Sequence, residues 1–290
     1  MPTKTQNTET AQYIADELIY DSKHPKFANK VFLLVEDRSD QDVFFSKFNK
    51  DIVVFRPIKG CGRTNVGDKF DAIIEKLNTN GIVNFAIKDS DFNRVLNIHP
   101  KFDNLFYTDC HDVEMMCFHS KETLTEIFEC FSQIFDIAFI NQIFKDLELL
   151  SKFKCLNIHK DCGYKFEGFK LLGENKKIKT NILSNYSLLE EEIKKISTKG
   201  LSITISQKDI DSFFKTYSCF DLEYEITNGH DFIAIFCFYF SSLSSIKDFC
   251  EKHLRTAMCA CFRMEHFVRT QLYQDISSWA ASHSLGNIFA

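Results

Sequence analysis

The sequence predicts an α/β fold, a mainly parallel sheet flanked by helices, followed by an α-helical C-terminal part. Short apolar runs alternate with amphipathic stretches from Val31 to about His119, as strands joined by crossover helices do. Beyond His119 the apolar residues recur at helical spacing. Acidic residues close several of the apolar runs, and the loops beyond the carboxyl ends of parallel strands are where such sheets gather their chemistry.

In chain order, residues 9–20 suit a lone amphipathic helix, with residues 1–8 frayed. VFLLVE (31–36) reads as a buried strand. Ser39 can cap a helix running through Asn49, with Val43, Phe44 and Phe48 on one face. IVVFRPI (52–58) is a second strand, KGCGRTNVG (59–67) a loop and DKFDAIIEKLN (68–78) a second helix. IVNFAIKD (82–89) and LFYTD (105–109) complete four strands. Helical patterns follow at 120–135, 138–152, 186–197, 207–217, 230–241 and 245–280. These limits divide the chain into an N-terminal extension (1–30), an α/β domain (31–125) and a mainly helical domain (126–290) serving substrate, partner or dimer contacts.

Composition narrows the class. With 290 residues, 44% hydrophobic and 26% charged, disordered, collagenous and disulfide-scaffold proteins are excluded. The eleven cysteines are an odd number, and the N-terminal stretch lacks a basic segment followed by an apolar one. Reduced thiols and a cytoplasmic setting are expected. The longest apolar run, Phe232 to Phe240, is less than half the ~20 residues that span a bilayer, so no membrane association is expected.

A net charge of −5 argues against a uniformly basic nucleic-acid binder, but its location matters more than its size. Strand one ends in Glu36, with Asp37 and Asp40 following; strand three runs into Asp89-Ser90-Asp91; strand four is followed by Asp112 and Glu114. Each acid has a structural explanation: a helix-dipole partner for Asp40, an N-cap for Asp112, a turn for the DxD. As one cluster, Glu36, Asp40, Asp89, Asp91, Asp112 and Glu114 carry −6, leaving the remaining residues at +1. Six carboxylates in one crevice need cations, and hard oxygen donors suit Mg²⁺ or Mn²⁺, two ions supplying +4.

A Glu closing the first strand, an Asp four residues on and a DxD closing a later strand resemble the Toprim signature, here Glu36, Asp40, Asp89 and Asp91. VFLLVEDRSDQDVFF, FAIKDSDF, NLFYTDCHDVEMMCF and NGHDFIAIF, in that order, are similar to OLD-type Toprim nucleases encoded beside ABC-type ATPases in bacterial anti-phage islands. The nearest group is the Toprim effector subunits of PARIS (phage anti-restriction induced) systems. The resemblance spans about residues 31–119, is weaker around 228–240 and vague elsewhere. It implies a Toprim-like sheet and a metal-dependent endonuclease. Such an effector is restrained by an ABC/SMC-type ATPase, released on infection, and acts as a homodimer on tRNA.

One departure is Asp37, which stands where the family has Gly; Asp tolerates a left-handed turn, and Asp37 could also add or displace a ligand. On this reading Asp89 and Asp91 are the principal metal ligands, since alternation puts residues two apart on one side of an extended segment. Glu36 is a ligand or the general acid/base, Asp40 supports the first ion, and Asp112 with Glu114 supports the second. In NGHDF, Asp231 could cap the next helix, or His230 could stabilise charge developing on a phosphate.

Positive charge is local. Residues 151–180 hold eight lysines against three acids, with Phe153, Tyr164, Phe166 and Phe169 interleaved. Lys160, Lys165 and Lys170 are candidate phosphate contacts and the aromatics candidate stacking platforms; a solvated Lys-rich loop is the alternative. Arg255, Arg263, His266 and Arg269 form a second basic group, facing phosphate, a partner or solvent. Gly60-Cys61-Gly62-Arg63-Thr64 lacks the closing GK[ST] of a Walker A loop, leaving Arg63 as a candidate phosphate contact. His253, Cys259, Cys261 and His266 invite a zinc reading, but CxC is not the CxxC knuckle and buried free thiols are the expectation.

Two rival readings share these residues. LLVED also resembles the first strand of a two-component receiver domain, with Asp89 as phospho-acceptor, although no Lys-Pro is present to close a fifth strand. A catalytically silent Toprim subunit that regulates an ATPase is the other.

Overall fold

The computed structural model describes residues 10–27, 29–58, 66–173, 177–197, 203–217, 221–243 and 249–290. The chain forms two compact units, one of residues 1–89, 99–109 and 262–290, the other of residues 90–98 and 110–261.

The first unit contains α1 (Ala11–Ser22), β1 (Val31–Val35), α2 (Arg38–Phe44), β2 (Val53–Pro57), α3 (Val66–Thr79), β3 (Asn84–Lys88) and β4 (Leu105–Tyr107). The strands form one parallel sheet in the order β2-β1-β3-β4. Alternation along β1 sorts its residues between two layers. Phe32 and Leu34 face a core with Ile14 and Leu18 of α1 and Phe70, Ile73, Ile74 and Leu77 of α3. On an aromatic layer, Phe85 meets Phe48 at 5.6 Å between centroids and Trp279 at 5.1 Å.

The second unit contains α4 (Val113–His119), α5 (Lys121–Cys130), α6 (Ile137–Lys160), α7 (Thr180–Leu183), α8 (Tyr186–Ile196), α9 (Gln207–Lys215), α10 (Leu222–Ile226), α11 (Gly229–Leu243) and α12 (Glu251–Cys261). Its core is phenylalanine-rich: Phe118 packs on Phe232 at 5.0 Å and Phe128 on Phe240 at 5.2 Å. Helices α13 (Met264–Phe267) and α14 (Gln271–Ser282) return the chain to the first unit.

The α/β class and helical C-terminal part are as expected; the details differ in instructive ways. The boundary expected near residue 125 does not coincide with the division by contact, because the last 29 residues (262–290) belong with the sheet. Part of the reason is chemical: Thr270 is the N-cap of α14, and Asp109, just beyond β4, accepts hydrogen bonds from the N–H groups of Gln271 and Leu272 in its first turn, both at 2.7 Å. The helical pattern read over 245–280 forms three helices among the described residues, with 245–248 lying outside them. Residues 90–98 belong to the second unit, where Arg94 pairs with Glu225 at 3.1 Å and the Tyr217 hydroxyl donates to the Val95 carbonyl. The helix expected to end at 152 continues to Lys160, because Phe153, Cys155 and Leu156 extend its apolar face. No helix among the described residues is long and apolar enough to cross a membrane.

Candidate catalytic and metal-binding residues

In the first unit, β1 and β3 are adjacent and parallel, with Leu34 opposite Ala86. Glu36 and Asp89 follow the last residues of these two strands. The chain runs outward from β1 to β2 and returns across β1 to β3, so the strand order reverses between β1 and β3. The carboxyl edge at such a reversal is the standard crevice of an open α/β sheet. Glu36 Oε1 lies 3.2 Å from the Asp89 amide nitrogen and accepts its N–H, so the two acids' positions are linked directly.

Asp37 and Asp40 have a different task. Asp37 is the N-cap of α2, replacing the expected Ser39: its Oδ1 accepts from the N–H groups of Ser39 at 2.7 Å and Asp40 at 3.2 Å. Asp40 Oδ2 accepts in return from the Asp37 N–H at 3.1 Å, completing a capping box with a carboxylate in the glutamate position. The backbone at Asp37 is extended, with φ −147°, so the turn after Glu36 needs no glycine.

In the second unit, Asp91 is exposed and left-handed, with φ +48°. The alternation expected to place it on the same side as Asp89 does not apply, because β3 has ended at Lys88 and a turn begins at Asp91. Its N–H donates to the His111 carbonyl at 2.6 Å. Asp112 is the buried N-cap of α4. Oδ1 accepts from the Met115 N–H at 2.9 Å, while Oδ2 accepts from the Gly229 N–H at 2.6 Å and lies 3.2 Å from His111 Nδ1. Burial opposes its ionisation, but the His111 imidazole and these two N–H groups hold the carboxyl below the ordinary range. Glu114, also buried, is pushed upward by burial and by the Asp112 charge; the Arg255 guanidinium, paired with it directly, offsets this only in part.

The acids divide by their partners. Glu36 and Asp89 are half-buried residues that follow adjacent strands, and carboxylate oxygen is the donor type that Mg²⁺ or Mn²⁺ takes. Asp112 has both oxygens committed to protein donors and Glu114 is neutralised by Arg255, so this pair does not fit the role of ligands to a second ion.

His230 lies in the first turn of α11 with its side chain half exposed. Asp231, expected as a cap, instead pairs with Lys154, and Asn228 Oδ1 accepts from the Asp231 N–H at 3.4 Å in the capping position. Arg255 of α12 reaches three groups: Glu114 through Nη1, Glu251 through Nε at 2.9 Å, and His230 Nδ1 through Nη2 at 2.7 Å. Sequence reasoning set Arg255 aside as one of several basic residues; its only local signal is Glu251 four positions earlier. Gly229 was likewise passed over, although a β-carbon there would lie 2.5 Å from Asp112 Oδ1 and 2.6 Å from Glu114 Cβ.

Of the expected phosphate contacts, Lys165 and Lys170 are exposed, whereas Lys160 pairs with Asp209 at 2.5 Å. Arg63 and its loop lie outside the described residues. The stacking expectation fails for Phe153 and Tyr164, which are buried 5.0 Å apart in the core; Phe166 and Phe169 are half-buried beneath Lys154 and Lys179. His253, one of the set aside zinc candidates, faces Cys250, with Nδ1 3.4 Å from its sulfur.

No family model matches the chain, and no curated protein matches it.

Proposed function

We propose that the protein is a divalent-metal-dependent nuclease of Toprim type, acting on nucleic acid of the tRNA class as the effector of an anti-phage system. The observation that carries the reading is the linked pair Glu36 and Asp89 at the carboxyl edge between β1 and β3. Acids that follow two adjacent parallel strands offer the oxygen donors that a phosphoryl-transfer metal takes. A bound Mg²⁺ or Mn²⁺ would supply Lewis-acid charge to a phosphate oxygen and lower the pKa of its water.

The protein's own groups then do the following. Asp89 places a carboxyl at the end of β3 and Glu36 accepts the Asp89 N–H; both are assigned as ligands to the ion, Glu36 alternatively as the general acid/base. Asp91 extends the acidic stretch, and Asp40 holds the start of α2 in register behind Glu36. On the second unit, His230 offers a half-exposed imidazole as a contact to a nucleic-acid phosphate. Lys165 and Lys170 provide phosphate contacts whose affinity falls with salt. Restraint by an ABC/SMC-type ATPase and action as a homodimer belong to the same proposal through the resemblance in residues 31–119.

A second reading uses the same edge. The parallel order β2-β1-β3-β4, Asp89 closing β3 and Thr108 directly after β4 suit a receiver-like phospho-acceptor. One experiment separates the two. Purified protein is incubated with Mg²⁺ and total tRNA, plasmid or single-stranded DNA, wild type against Asp89→Ala. Cleavage by the wild type alone supports the nuclease. Intact nucleic acid with phosphotransfer from acetyl phosphate to Asp89 supports the receiver, and neither activity leaves the silent regulatory subunit.

A further inference from the structure

The contact between Arg255 and His230 determines more than their proximity. A guanidinium carries five N–H donors and no acceptor. At 2.7 Å from Arg255 Nη2, His230 Nδ1 must therefore present its lone pair. Glu251, the other polar neighbour on α12, has its carboxylate 3.9 Å from that nitrogen, beyond hydrogen-bond reach. With Nδ1 accepting, the proton of the neutral ring sits on Nε2.

The arrangement is held from both ends. The backbone of α11 is pinned one residue earlier, where the Gly229 N–H donates to buried Asp112. Arg255 is held by Glu114 and by Glu251 one turn earlier on its own helix. Its planar fork reaches a buried carboxylate and an imidazole together, which a lysine's single ammonium cannot do. The His230 side chain is 53% exposed, leaving its outer nitrogen accessible.

We propose that Arg255 is a positioning residue that fixes His230 in the Nε2–H tautomer, making its outer nitrogen a hydrogen-bond donor to a phosphate oxygen of the nucleic-acid substrate. The tautomer follows from the contact alone; the phosphate role rests on the nuclease reading.

The test uses the full chain labelled with ¹⁵N-histidine, with imidazole nitrogen shifts recorded at alkaline pH, where imidazoles are neutral. The His230 signals are assigned by their loss in His230→Asn. The expected wild-type result is one tautomer, with Nδ1 unprotonated and hydrogen-bonded and Nε2 protonated. Arg255→Lys keeps a cation against Glu114 but shifts the His230 signals towards averaged tautomers. An Nδ1–H or mixed ring in the wild type, or a spectrum unchanged in Arg255→Lys, overturns the proposal.

The phosphate role is read by nucleic-acid binding. The amide nitrogen of Gln stands in for Nε2 and that of Asn for Nδ1. His230→Gln should retain affinity within about twofold, and His230→Asn should lose about tenfold, the scale of one lost hydrogen bond to a charged group. Equal loss in both overturns the phosphate role. A wild type that cleaves nothing refutes the nuclease reading instead, while the tautomer is still decided by its own spectrum.

Discussion

The Gly229 amide donates to Asp112 Oδ2 at 2.6 Å, and the same glycine leaves no room for a β-carbon, which would lie 2.5 Å from the other oxygen of that carboxylate. The start of α11 is thus seated on the N-cap of α4. Gly229→Ala forces one helix to move or breaks the Asp112 bond. The expected cost is about 2 kcal/mol, from overpacking and a weakened buried hydrogen bond. Urea denaturation measures it; a midpoint matching the wild type would show that the seat is not tight.

Asp112 and Glu114 give the second unit opposite pH dependences. Asp112 ionises below its ordinary 3.8 in the folded protein, so its stabilisation is present above 3.8 and disappears as pH falls through the folded value. Glu114 ionises above its ordinary 4.5, so its contribution is complete below 4.5 and declines as pH rises through the folded value. Relative to wild type, Asp112→Asn should be destabilised at neutral pH by an amount that shrinks below pH 3.8. Glu114→Gln should gain relative stability as pH rises above 4.5. Stability measured across pH 3–8 tests both slopes, and parallel curves for all three proteins would contradict them.

Asp109 joins β4 to the first turn of α14 through two N–H groups at 2.7 Å each. Asp109→Ala leaves both donors without their carboxylate and should cost about 1–3 kcal/mol. Asp109→Asn, keeping one acceptor oxygen, should cost less. Hydrogen exchange should quicken at Gln271 and Leu272 in Asp109→Ala; unchanged protection there would mean that the bonds contribute little.

What the sequence reveals and conceals follows from range. The four strands were legible because buried apolar runs such as VFLLV are a local signal, and Glu36 and Asp89 could be placed at strand ends for the same reason. Ser39 was read as the cap where Asp37 is the cap, because both residue types cap helices and only the backbone shows which one precedes the first turn. The bonds from the first turn of α14 to Asp109 were hidden because the partners lie more than 160 positions apart. Arg255 was hidden likewise: contact with Glu114 across 141 positions leaves no periodicity.

The Lys-rich stretch separates binding from stability. Phe153 is fully buried against Tyr164, so Phe153→Ala should cost about 3–5 kcal/mol by leaving a cavity. Lys165→Glu and Lys170→Glu change exposed positions and should leave the melting temperature within a degree or two while weakening nucleic-acid binding. If each lysine contacts one phosphate, each change should lower the slope of log affinity against log salt by about one. Binding titrations at several salt concentrations decide this, and an unchanged slope in both variants would remove this face from the substrate surface.

Glu36 is the residue on which the metal assignment turns. Glu36→Gln keeps an oxygen that can accept the Asp89 N–H but removes the charge, so fold and melting temperature should persist while affinity for a divalent ion falls. Glu36→Ala removes the acceptor as well, and should abolish Mg²⁺-dependent cleavage at a cost of about 1 kcal/mol in stability. Mn²⁺ binding followed by paramagnetic resonance reports the ion directly, without any substrate. If Glu36→Gln binds Mn²⁺ as the wild type does, the ion is held elsewhere; if binding is lost with the fold intact, the edge between β1 and β3 is the metal centre.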